Sequence, residues 1–160
     1  MVLVVGLMGW GAVEAKAQGG VPATEAERLM VRDYRHLGLS VSVRHGGLEE
    51  EYASMTTEDV RTKVELRMRR AGIPPEEGKG SQVLHVDLHT YGKAFNIRVS
   101  LWQTLTWALP NETVMMAGVG TWATNALGQG ESRAEVLSTI EDEVDRFLNA
   151  YLKANQGEGK

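Results

Sequence analysis

His85, Asp87 and His89 stand at every second position of the run Val83-Leu84-His85-Val86-Asp87-Leu88-His89. Neutral imidazole and carboxylate both bind divalent zinc, copper or nickel, so this is the one cluster with ligand chemistry. In a strand, alternate residues share a face, which puts Leu84, Val86 and Leu88 on one side and the three polar residues on the other. With a rise of about 3.3 Å per residue, neighbours in this set lie about 6.6 Å apart and His85 and His89 about 13 Å apart. A closed metal site therefore needs further ligands from another strand, which the sequence does not identify. The commoner use of such a pattern is a solvated strand face, and that reading is favoured over metal-assisted hydrolysis by His85, Asp87 and His89.

Ser100 completes the inventory of a Ser-His-Asp set with His85 and Asp87, across a hairpin. Inventory alone carries no mechanism. There is no Gly-x-Ser-x-Gly elbow, His-Glu-x-x-His helix, phosphate-cradling glycine loop or dinucleotide fingerprint. No residue is assigned a catalytic role, no cofactor is implied, and a non-enzymatic protein is the favoured reading. The acidic runs Glu49-Glu50-Glu51 and Glu141-Asp142-Glu143 read as solvated surface. So do the cations Arg61, Lys63, Arg67, Arg69 and Arg70 of one helix.

Trp102 is the more suggestive residue. It falls on the polar parity of its strand beside Arg98 and Ser100, and an exposed Trp near an Arg suits a binding surface. Arg98, Ser100 and Trp102 are thus the candidate binding residues. A competing expectation, the stronger one from composition, is that the segment Thr24–Leu37 folds over that face.

The elements that position these residues can be read from periodicity. Leu39, Val41 and Val43 alternate with Ser40, Ser42 and Arg44, as in a half-buried strand. Thr56 or Thr57 caps a helix whose stripe is Val60, Val64, Met68 and Ala71; Glu58 and Asp59 open it, and Arg67, Arg69 and Arg70 close it. Gly72, Ile73 and Pro74-Pro75 end it. Strands follow at Val83–His89 and, after Tyr91-Gly92-Lys93, from Phe95 through Trp102 and on past Leu105 and Trp107. A third follows Pro110-Asn111, from Val114 to Thr124, where Gly118 and Gly120 signal a bulge or a close backbone approach. Ser132 with Glu135 forms a capping box before the stripe Val136, Ile140, Val144, Phe147, Leu148, Tyr151 and Leu152. The simplest assembly is an α+β fold in two layers, ordered β-α-β-β-β-α, with both helices on one face of a mostly antiparallel four-stranded sheet.

Composition bounds the classes. The chain has 160 residues, a net charge of −4, 42% apolar residues and no cysteine, which excludes disulfide scaffolds, thiolate metal sites and thiol nucleophiles. The acidic balance gives no pull toward nucleic acid. Residues 1–17, MVLVVGLMGWGAVEAKA, have the shape of a secretory signal peptide cut after Ala17. The apolar run, ended by Glu14 and Lys16, is shorter than the roughly 20 residues a membrane span needs, so no transmembrane anchor is expected after cleavage. No Lys or Arg precedes Lys16; either the natural start lies upstream of Met1 or the leader is cut short. The expected organisation is a leader at 18–38 holding a short helix, a single domain at 39–155, and a disordered tail at 156–160.

Several segments carry a family resemblance: Gly38–Val43, Met55-Thr56-Thr57-Glu58-Asp59-Val60, Val64-Glu65-Leu66-Arg67, Arg70-Ala71-Gly72-Ile73, Gly120-Thr121-Trp122 and Asp145–Asn155. Over most of the mature chain it resembles a family of small, exported, uncharacterised bacterial proteins. The resemblance implies export to the periplasm or medium and one domain, with no established activity. The leading expectation is a non-catalytic module that binds an envelope protein or another envelope component, in an oligomeric state the sequence leaves open.

Overall fold

The computed structural model describes residues 24, 29, 34–47, 52, 54–76, 81–109, 112–130 and 132–155, with the backbone alone at 105–109 and 112–117. The expected signal peptide at 1–17 and the expected disordered tail at 156–160 lie outside the described residues. The elements are β1 (Gly38–Gly46), α1 (Thr57–Arg70), β2 (Gln82–Tyr91), β3 (Ala94–Leu109), β4 (Glu112–Gln129) and α2 (Arg133–Asn155). They form a four-stranded sheet in the order β1-β2-β3-β4, parallel between β1 and β2 and antiparallel across the other two pairs. The expected α+β fold, β-α-β-β-β-α, is the one observed.

The ends of α1 are built from local chemistry. The Thr56 hydroxyl accepts the Asp59 N–H at 3.2 Å, and the Thr56 N–H donates to the Asp59 carboxylate at 2.8 Å, a reciprocal capping box. At the other end Gly72 has φ +78°, the Gly72 N–H donates to Arg69 O and the Ile73 N–H to Met68 O. That 5→2 and 6→1 pair is a Schellman motif, and Ile73 buries itself beneath it. The Glu135 N–H donates to the Ser132 hydroxyl at 3.3 Å and starts α2.

Both helices cover the same side of the sheet, α1 over β1 and α2 over β3 and β4. The core between the layers joins Val60, Val64 and Met68 of α1 and Val136, Ile140, Val144, Phe147 and Tyr151 of α2 to Leu84, Val86 and Leu88 of β2 and Ile97, Val99 and Leu101 of β3. Trp122 enters from β4, its ring centroid 5.3 Å from that of Phe147, which stacks in turn on Tyr151 at 5.2 Å. Glu143 is buried where α2 meets β4; it accepts the Thr124 hydroxyl at 2.8 Å and pairs with Arg146 at 3.1 Å.

Two expectations change. The basic face of α1 and the acidic run of α2 are partners as well as surface. Arg67 donates to Glu141 at 2.9 Å and to Asp145 at 3.0 Å, and Lys63 reaches Glu141 at 3.3 Å. Parts of the 18–38 leader belong to the domain: Leu29 and Leu37 are 1% and 0% exposed. The Asn155 side-chain amide donates to Leu29 O at 3.0 Å, the Tyr151 hydroxyl to Tyr34 O at 3.1 Å, and the Gln82 amide to His36 O at 2.7 Å. These contacts hold Leu29 and Tyr34 at the C-terminal end of α2, on the helical side of the sheet.

Candidate functional site on the uncovered sheet face

The far side of the sheet meets no described helix. Register sets its rows. Ser40, His85, Ser100 and Ala123 lie side by side across the four strands, then Ser42, Asp87, Arg98 and Asn125, then Arg44, His89, Asn96 and Leu127. Trp102 stands one row above Ser100 and faces Gly120. The candidate binding residues Arg98, Ser100 and Trp102 therefore do share one face, and of Thr24–Leu37 the residues Leu29, Tyr34 and Leu37 pack on the opposite, helical side.

Trp102 is held in a defined orientation. Register shifts beside Leu101/Trp102 and Gln103/Leu105 make the irregularity that the glycines of β4 signalled, and Gly118 adopts φ +73°, which a side chain there would strain. A Cβ on Gly118 would lie 3.6 Å from the indole, and one on Gly120 3.9 Å away, so the ring rests across a strip of β4 without side chains. Its N–H donates to the Ser100 hydroxyl at 3.0 Å. The outer surface of the ring stays in solvent at 37% exposure, while Ser100 beneath is 2% exposed. A wide aromatic surface with its polar atom satisfied and its rotamer fixed loses little freedom on binding, the property of an interface anchor.

His85 and Asp87 also meet, with Nε2 3.0 Å from Oδ2, and the His85 ring stands edge-on to Trp102 at 6.3 Å. The second Asp87 oxygen is shielded from water and has no hydrogen-bond partner; Arg44 lies 3.8 Å from it, within ion-pair range but beyond a hydrogen bond. His89 is exposed at the hairpin end and lines a different feature, a cleft of about 320 Å³ with His45, Tyr91, Phe95, Asn96 and Leu127. Among the described residues no three His, Asp or Glu side chains converge as metal ligands. Ser100 sits directly opposite His85, and its hydroxyl accepts the indole N–H of Trp102.

Two residues of this face escaped sequence reasoning. Leu127 is 80% exposed and Tyr91 74%, and both fall on the uncovered side. The alternation of β4 placed Leu127 there only once its pairing with Asn96 was known.

No family model matches the chain, and no curated protein does. Among solved structures it is similar to a PelC dodecamer from Paraburkholderia phytofirmans, at 14% identity over 73% of this chain and 87% of that one, with a TM-score of 0.41. It is similar also to the N-terminal domain of Protein Y from Thermus thermophilus, at 15% identity over 76% and 99%, with a TM-score of 0.33. A minor lipoprotein from Acinetobacter baumannii matches at 12% identity over 71% and 91%, with a TM-score of 0.26. Likenesses of this degree carry nothing about ligand or activity.

Proposed function

We propose that this chain is a non-catalytic binding module of the bacterial cell envelope, exported and released after cleavage near Ala17. It meets an envelope protein or another envelope component through the sheet face at Trp102 and Arg98, with Ser100 bracing the ring from beneath. One observation carries the reading: Trp102 presents a solvent-facing ring, locked from behind by Gly118, Gly120 and the Ser100 hydroxyl, on a face that no described helix covers. Arg98 is exposed on the same face two rows away, beyond Ser100, and adds a positive charge to the surface. Export rests on the apolar run and the Ala15-Lys16-Ala17 pattern; among the described residues no helix is long and apolar enough to cross a membrane.

The test is capture of partners from the native envelope fraction by wild-type chain and by Trp102→Ala, with the fold of both checked by thermal melting. The expected result is loss of a captured component in the variant and quenching of tryptophan fluorescence by that component in the wild type. An identical captured set, with no quenching, sinks the assignment. Edman sequencing of the secreted or periplasmic form is expected to begin at Gln18.

A further inference from the structure

Among the described residues the sheet ends on β4, whose outer edge lacks the usual guards against pairing with another strand over Trp122–Gln129. An edge strand offers a row of open N–H and C=O groups, and folded proteins shield such rows with lysine, proline, shortness or bulges. β4 runs for 18 residues, and from Thr113 to Gln129 it holds no charged residue and no proline. The opposite edge, β1, has 9 residues and carries Arg44. The irregularity of β4 is confined to the part beyond Trp122; from Leu101↔Trp122 to Ala94↔Gln129 the register with β3 is unbroken.

Register also tells which groups are open. The Gly130 N–H donates to Lys93 O at 3.0 Å, so even-numbered residues from 122 to 130 direct their amide groups at β3. Ala123, Asn125, Leu127 and Gln129 direct theirs away from the sheet. Among the described residues no strand takes them up. All four have exposed side chains, Leu127 the most.

We propose that this edge pairs antiparallel with the same edge of a second copy, about a two-fold axis within Ala123–Gln129, joining two four-stranded sheets into one of eight strands. The lack of charge suits a second copy as the occupant. In a two-fold pairing the stretch meets itself, so any charge in it faces the like charge, which destabilises a strand pair. This stretch has none, and it offers no charge by which to recognise a foreign strand. The pairing is separate from the Trp102 surface, whose ring lies on the sheet face over Gly118 and Gly120, outside Ala123–Gln129, so the two proposals fail separately.

The test is sedimentation of the full chain across micromolar concentrations. The expected species has twice the chain mass. Asn125→Pro removes an N–H that β3 does not use and is expected to sediment as a monomer with the wild-type circular dichroism spectrum. Leu127→Glu places a carboxylate in the stretch and is expected to weaken the dimer by about tenfold, the equivalent of about 1.4 kcal/mol, with partial recovery in high salt. If the proline variant loses its fold, the glutamate variant decides alone. A wild-type chain that stays monomeric throughout, or an assembly of any size that the folded variants leave intact, overturns the proposal.

Discussion

The indole N–H of Trp102 donates to the hydroxyl of Ser100, two residues back on the same strand, at 3.0 Å. The bond makes one unit of two residues that a sequence reading treats as separate candidates. It accounts for the fixed ring and for a partner to the buried serine hydroxyl. Ser100→Ala removes the acceptor and leaves the indole N–H to find water at the rim. The expected cost is about 1 kcal/mol, from one neutral hydrogen bond, measured by urea denaturation. A double-mutant cycle with Trp102→Phe isolates the bond, since phenylalanine has no N–H to donate. A coupling energy near zero would show that the two residues stabilise the fold independently.

Gly128 faces Phe95 across the β3–β4 pair, and a Cβ built on it would lie 2.6 Å from Phe95 Cζ and within 3.2 Å of two further ring atoms. The ring is mostly buried, and to make room it must shift from its packed position toward the hairpin cleft that it also lines. Gly128→Ala is therefore expected to destabilise by about 1 to 3 kcal/mol, the range for overpacking a filled site. Phe95→Leu in the same chain should return part of that loss. If Gly128→Ala melts with the wild type, the ring has room that its contacts deny.

The helices were legible in the sequence because their ends are written in adjacent residues: Thr56 with Asp59, Gly72 with Ile73, Ser132 with Glu135. The strands were legible from alternation, and so was the side of the sheet on which Trp102 stands; that no described helix covers this side was not, since folding of Thr24–Leu37 over it was the stronger expectation. What alternation cannot carry is partnership across long separations. The parallel β1–β2 pairing, the Arg67 contacts with α2, and the burial of Leu29 and Leu37 all depend on how the layers come together. The sulfur-free polar cluster shows the same limit. Spacing put His85, Asp87 and His89 on one face, but the contact between His85 and Asp87 and the separate place of His89 in the hairpin cleft are properties of side-chain direction.

Arg67 bridges Glu141 and Asp145 from the facing helix, and this pairing has a pH signature. The guanidinium hydrogen bond holds the Glu141 carboxyl below its ordinary value of 4.5, with Lys63 adding to the effect and partial burial opposing it. A carboxyl whose folded-state pKa is depressed binds fewer protons folded than unfolded. Its contribution to stability is complete above the unfolded pKa and is lost as the pH falls through the folded one. Asp59 is depressed too, chiefly by the Thr56 backbone N–H, but it titrates alike with or without Arg67 and cancels in a comparison. Arg67→Gln is therefore expected to lower the urea midpoint at pH 7, by a modest amount because both partners keep some solvent contact. The gap from wild type should shrink steadily once the pH drops below about 4.5. Urea titrations at pH 7, 5, 4 and 3 measure it directly. A gap of constant size across that series would mean that Arg67 contributes through its packed aliphatic stem and not through its charge.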